Sequence, residues 1–210
     1  FGLYLRHGSR SVLIQIINAI KTGDGSEAPR LEAMLSHTIQ SNKEREMAYV
    51  RQATHDALTG CKNRRAFDSD VAELLNAQQP FAMALVDIDN FKSINDTLGH
   101  LTGDIVLRNV AREGIQIMQP HHVPVYRYGG EEFAVVFQAG QIADAFSLLE
   151  AWRTAVEKRV WREENLRGTF SGGLGEWHFE PLEQFVESVD NALYSAKRQG
   201  KNRILRTSVG

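Results

Sequence analysis

Cysteine is nearly absent. Cys61 stands alone among 210 residues, which excludes an intrachain disulfide framework and fits a reducing compartment. Long apolar runs are missing too: the longest, VLIQIINAI at 12–20, is interrupted by polar residues and too short to span a bilayer. No secretory signal is evident. Neither sign of charge dominates, since 24 Lys and Arg against 26 Asp and Glu leave a net charge of −2. That balance argues against a general nucleic-acid or membrane-surface binder, though not against a local phosphate site. What remains is an ordinary globular composition, 42% hydrophobic and 24% charged, long enough for one full domain and an appendage. The sequence opens on Phe1 rather than Met, which leaves room for an upstream segment, a membrane anchor included.

Residues 1–20 carry a helical apolar pattern through Leu13, Ile16, Ile17 and Ile20. A loop, TGDGSEAPR, follows at 22–30, and Pro29 suits the first turn of a second helix over 30–53, where no Gly or Pro interrupts. Its apolar stripe is thin (Leu35, Ile39, Tyr49, Val50) and its middle, SNKEREM, is polar. Such a helix pairs with a copy of itself or a partner more readily than with its own domain; the plainer alternative is a solvated linker.

From residue 54 the pattern changes. A helix is expected over 64–78, and a strand buried on both faces over 81–89. Two helices, FKSINDTLGH and DIVLRNVAREGIQIM, come next, then two strands joined at Gly-Gly within VPVYRYGGEEFAVVF (123–137). A helix over 141–160, a strand over 168–176, a helix over 181–198 and a short strand RILR complete the chain. The order predicts an α/β (α+β) split-βαβ sheet flanked by helices over 54–210, with 1–53 as an N-terminal helical stalk.

Asp87 and Asp89 fall at the end of the first strand, and Glu131 and Glu132 at the start of the hairpin's second strand. In a split-βαβ sheet those strands are neighbours, so the acid pairs are expected to converge, with only one Glu facing Asp87 directly. Converging carboxylates repel unless a cation lies between them, and hard oxygen ligands select Mg²⁺ or Mn²⁺. A turn without β-carbons lets a phosphate approach backbone N–H groups beside such a metal. These residues together predict a nucleotide site.

RYGGEEF (127–133) resembles the signature of the GGDEF family, the bacterial diguanylate cyclases, in its GGEEF form. The resemblance covers about 155 residues from Asp56 onward and repeats in DALTGCKNRRAF (56–67), DIDNFKSINDTLGHLTGDIVL (87–107) and VDNALYSAKRQGKNRI (189–204). It implies a palm-like fold in the bacterial cytoplasm that converts two GTP into cyclic di-GMP and two pyrophosphates. It further implies that Asp87, the Ile88 carbonyl and Glu131 hold two Mg²⁺ (or Mn²⁺) per site. Glu132 would be a further ligand or the proton acceptor, and the duties of the two glutamates stay unseparated. Gly129 and Gly130 would lie against the α-phosphate, and Lys92, Lys197 and Lys201 would contact phosphate oxygens. Phe91, Asn95, His100 and Asp104 would line the ribose and base, with a helix-capping role the alternative for His100. An ionised Asp104 only accepts hydrogen bonds, and guanine offers adjacent N–H donors where adenine offers an acceptor, so GTP is expected over ATP.

Departures from the family pattern carry their own expectations. Cys61 replaces a Leu and should affect packing alone. Lys201 replaces an Arg and gives up bidentate phosphate binding. Gly172 replaces a β-branched residue and should loosen its strand. PHHV (120–123) stands where feedback-inhibited members place Arg-x-x-Asp, so product inhibition through that site is not expected. His121 and His122, adjacent on a strand, would point to opposite faces and read as polar loop residues rather than metal ligands. Because the product is two-fold symmetric, two sites must face each other, so a homodimer set by the stalk is expected, with an adaptor protein as a possible input on it. No nucleic-acid or membrane contact is expected within this chain. The alternatives are a catalytically silent nucleotide-binding or scaffold protein of the same fold, and another nucleotidyl cyclase, which would leave Asp104 unexplained.

Overall fold

The computed structural model describes residue 14 and residues 28–163 and 166–207. Apart from residue 14, the helix expected within 1–20 lies outside them. The chain divides into two compact units, with the boundary between Ala53 and Thr54. In the first, Pro29 occupies the opening turn of α1 (Ala28–Thr54). Leu35, Ile39, Met47, Tyr49 and Val50 of α1 are all exposed. Among the described residues no helix is long and apolar enough to cross a membrane.

The second unit is a five-stranded sheet with helices on both faces. Its elements are α2 (Arg64–Asn76), β1 (Phe81–Ile88), α3 (Phe91–Leu98), α4 (His100–Met118), β2 (Val125–Arg127), β3 (Glu132–Gln138), α5 (Ala145–Glu157), β4 (Phe170–Glu176), α6 (Leu182–Arg198) and β5 (Ile204–Arg206). The strand order is β2-β3-β1-β4-β5. β1 pairs antiparallel with both β3 and β4, and only β4–β5 is parallel. The uninterrupted apolar run of β1 follows from its central place. Ala82, Ala84, Val86 and Ile88 pack into one core with α4 and α5, while Phe81, Met83 and Leu85 pack into the other with α2 and α6. Trp152 anchors the first core, fully buried, with its Nε1 donating to the Val110 carbonyl at 2.9 Å.

Several elements differ from expectation for identifiable reasons. Residues 139–144 form a 3₁₀ stretch before α5, which therefore starts at Ala145. Gly99, at φ 84°, breaks the 91–118 segment, so His100 opens α4 instead of closing α3. His121 ends a 3₁₀ turn and His122 sits left-handed after it; neither is on a strand, and both are exposed. His122 lines a cleft of about 760 Å³ beside Cys61, Lys62 and Tyr126, to which none of the signature acids contributes. Cys61 itself is buried, and burial pushes its thiol up to about 12, a packing residue rather than a reactive one. β4 is not an open strand despite its glycines. A β-carbon at Gly172 would stand 2.7 Å from Ile204 Cδ1, and one at Gly173 would stand 2.1 Å from the Val189 carbonyl oxygen and 2.6 Å from the Leu193 nitrogen. The missing methyls let β5 and α6 close directly onto the strand.

Candidate active site

The register of β1 against β3 puts Asp87 opposite Glu132. Cross-strand partners point to the same face, so these two carboxylates face each other, and Glu132 is the glutamate of the pair that does so. Glu131 precedes the strand, and its carbonyl accepts the Ile88 N–H at 3.4 Å. Lys197, in the last turn of α6, reaches Asp87 Oδ2 with its Nζ at 2.6 Å. Burial raises the Asp87 carboxyl above the usual range despite this lysine, with Glu131 and Asp89 adding repulsion. Glu132 is raised as well, first by burial, then by Asp87 and Glu131, with a smaller push from Asp190. The sheet end is therefore a pocket of negative potential that favours protons or metal cations.

The Gly-Gly segment is wider than a two-residue turn. Four residues, 128–131, connect β2 to β3, and the Tyr128 and Gly129 N–H groups both donate to the Glu132 carbonyl. Neither glycine is needed for a left-handed φ. A β-carbon on Gly129 would fall 2.5 Å from Glu132 Oε2, so this glycine lets the carboxylate lie back over the turn. A β-carbon on Gly130 would meet nothing within 4 Å. Arg127 braces the turn: its Nε and Nη2 donate to the Gly130 carbonyl at 3.2 and 2.8 Å, and its Nη1 to both Asp56 oxygens at 3.1 Å. Burial works against the Asp56 carboxylate, but hydrogen bonds from Thr59 and the Arg127 guanidinium outweigh it and hold its carboxyl below the usual range. Arg127 is a site residue that the pattern of acids does not reveal; its place two residues before Gly129 is its one local signal.

A second group lies between α3 and α4. Gly103 is buried, and a β-carbon there would fall 1.9 Å from Asn95 Oδ1 and 3.2 Å from Phe91 Cζ. That close crossing sets Asn95 beside the turn of α4 that carries Asp104. Asp104 is 3.8 Å from Arg108, a loose surface pair that leaves its oxygens available. Lys92 and His100 are exposed, and their side chains make no hydrogen bond or ion pair among the described residues. Lys201 donates to Asn90 Oδ1 at 2.5 Å. Asp89 does not join the acids. It is 3% exposed and accepts from Thr169 Oγ1, Ser171 Oγ and the Asn202 N–H at 2.7–3.0 Å, a satisfied buried carboxylate.

The family profile described as "Diguanylate cyclase, GGDEF domain" matches residues 53–203. The chain belongs to the GGDEF family. It is 34% identical over 173 residues to the Vibrio cholerae diguanylate cyclase VdcA, covering 80% of this chain and 51% of that one. Like the other GGDEF relatives matched first, VdcA is longer: the chain spans about half the length of these curated proteins. Among solved structures it resembles the coiled coil and GGDEF domain of Caulobacter crescentus DgcB in complex with c-di-GMP, with a TM-score of 0.71 and 32% identity over 86% of this chain and 100% of that one. It also resembles Pseudomonas aeruginosa diguanylate cyclase SiaD in complex with its activator SiaC, with a TM-score of 0.71 and 30% identity over 95% of this chain and 80% of that one. The GGDEF fold and the GGEEF variant of its signature thus occur here together.

The donor set fits the divalent cation that GGDEF chemistry implies. Among the described residues no group of three or more His, Cys, Asp or Glu forms a cage for an ion. Mg²⁺ seldom uses one: it is held by one or two carboxylates, with substrate phosphates and water completing the shell. Facing carboxylates whose proton affinity is already raised are suited to that arrangement.

Proposed function

We propose that the chain is an active diguanylate cyclase: two copies, each holding one GTP, condense them into cyclic di-GMP and release two pyrophosphates. The observation that carries this reading is the facing of Asp87 and Glu132 beside a Gly130 that opens onto free space. Asp87, Glu131 and the Ile88 carbonyl would hold two Mg²⁺ or Mn²⁺, with Glu132 facing Asp87 as a further ligand or as the proton acceptor. The metal supplies a lowered pKa at the attacking hydroxyl and neutralises charge on the leaving pyrophosphate.

The chain's own residues do the rest. Gly130 admits the α-phosphate to the backbone of the turn, and Gly129 leaves room for the Glu132 carboxylate beside it. Lys197 exchanges Asp87 for a phosphate oxygen when nucleotide arrives, and Lys92 and Lys201 take others. Asn95 and Asp104 read the guanine edge above Phe91, with His100 beside the ribose or base. The 3′-oxygen of one GTP attacks the α-phosphorus of the other; that O–P bond forms, the bond to the β-phosphate oxygen breaks, and pyrophosphate leaves. The hydroxyl proton goes to an acid at the sheet end, for which Glu132, facing Asp87, is the candidate. The reciprocal attack closes the ring. PHHV at 120–123 offers no arginine for the product, so turnover proceeds without feedback through that surface.

The test is product analysis. Incubation with GTP or ATP and Mg²⁺, followed by mass separation, should give cyclic di-GMP from GTP alone. Asp87→Ala should abolish it. Gly130→Ala should cut turnover by about 10-fold or more while leaving thermal stability unchanged, because nothing in the fold occupies the added methyl's place. GTP bound without product would mark a silent binding protein and end this reading.

A further inference from the structure

Residues 200–202 run left-handed in succession, with φ of 115°, 64° and 48°. Across from them Asn90, just after β1, is left-handed as well at 57°. Lys201 and Asn202 both carry β-carbons, so this path persists only if surrounding bonds over-determine it. The bonds converge on Asp89. Its Oδ2 accepts the Asn202 N–H at 3.0 Å and the Thr169 hydroxyl at 2.8 Å, and its Oδ1 accepts the Ser171 hydroxyl at 2.7 Å. The Asn202 side chain is tied in turn: its Nδ2 donates to Glu157 at 2.7 Å and its Oδ1 accepts from Arg153 at 2.9 Å. Lys201 closes the frame through Asn90. A lone acid at a strand end stays in water; this one is 3% exposed, held by two hydroxyls at the start of β4 and by one amide of the 200–202 loop.

We infer that Asp89 is a positioning residue for the nucleotide site. Its buried carboxylate locks the 200–202 loop against the tip of β1 and so sets where Lys197 and Lys201 stand relative to Asp87 and the acids of β3. This rests on the reading of those lysines as phosphate contacts. The carboxylate positions the loop through its hydrogen bonds, and the charge that it adds beside Asp87 is a separate effect.

Two substitutions separate those roles. Asp89→Asn keeps the frame: its carbonyl accepts from Asn202 and Thr169, and its amide donates to the Ser171 hydroxyl, which turns to accept. Asp89→Ala removes all three bonds. In the full chain, Asp89→Ala should raise the KM for GTP by about 10-fold with a smaller change in kcat. It should speed hydrogen exchange at the Asn202 amide of the ligand-free protein by about 10-fold or more. Asp89→Asn should stay within about 3-fold of wild type in both. Thr169→Val removes one donor and leaves the carboxylate; it should give an intermediate exchange rate, and it keeps the test alive if the alanine variant fails to fold. An Asp89→Asn variant as inactive as Asp87→Ala, with Asn202 exchange unchanged, would overturn the inference, as would wild-type KM and exchange in a folded Asp89→Ala. If the wild-type chain turns over no GTP, the functional reading fails separately, and the exchange rates still decide the clamp.

Discussion

Glu132 holds its proton to higher pH than an ordinary glutamate, first because it is partly buried and then because Asp87 and Glu131 repel its charge. The consequence for stability has a definite sign. Between the ordinary carboxylate range and the raised native value, the folded chain binds more protons than the unfolded one, so stability falls as pH rises through that window. Glu132→Gln removes the penalty. Without divalent metal, the variant should melt higher than wild type at neutral pH, by on the order of 1–2 °C. The gap should close below the ordinary glutamate pKa of about 4.3. Melting curves across pH check this, and a variant less stable than wild type at pH 7 would mean that Glu132 is held by a partner instead of repelled. At this scale the sequence was half legible. Asp87, Glu131 and Glu132 stand out because acids beside glycines at strand ends have few structural uses. Asp89 looks the same in a linear reading, and only the fold shows that Thr169, Ser171 and Asn202 claim it. Donors that lie 80 to 113 positions away leave no local trace.

Among elements, β4 and α6 show how a local rule is reversed by packing. Glycines in SGGLG read as a weak strand, yet Gly173 admits the backbone of α6 and Gly175 the side chains of Val189 and Phe185. Gly173→Ala places its methyl 2.1 Å from a helix carbonyl that cannot move without the helix. It should destabilise the domain by about 2–4 kcal/mol, read from the urea midpoint at unchanged m-value. Because α6 carries Lys197, GTP affinity should drop with it; full stability would show that α6 rides further from the sheet. The strands and helices themselves were legible, since β1's unbroken apolar run and the periodic faces of α2 and α6 are direct images of burial. Boundaries were less so. The break at Gly99 and the 3₁₀ entrance to α5 depend on how neighbouring elements meet, which periodicity alone does not encode.

For the molecule as a whole, α1 is the element least explained by its own contacts. Its apolar side chains are spread along one long exposed helix, with Ile39, Met47, Tyr49 and Val50 each more than half accessible. An isolated helix so thinly apolar is marginal in water, and pairing with a second copy would cover those side chains. The proposed chemistry needs the same thing, because a two-fold symmetric product requires two GTP-loaded sites facing each other. A chain lacking residues 1–53 should keep the sheet and both cores, so its melting transition should persist. It should sediment as a monomer, and at sub-micromolar protein its GTP turnover should fall by roughly 100-fold, since each site then waits for a chance encounter. Fusing residues 54–210 to an unrelated parallel two-stranded coiled coil should restore most of the lost rate. Full turnover by the monomeric truncation would separate α1 from the reaction, leaving the catalytic unit to dimerise through its own surface.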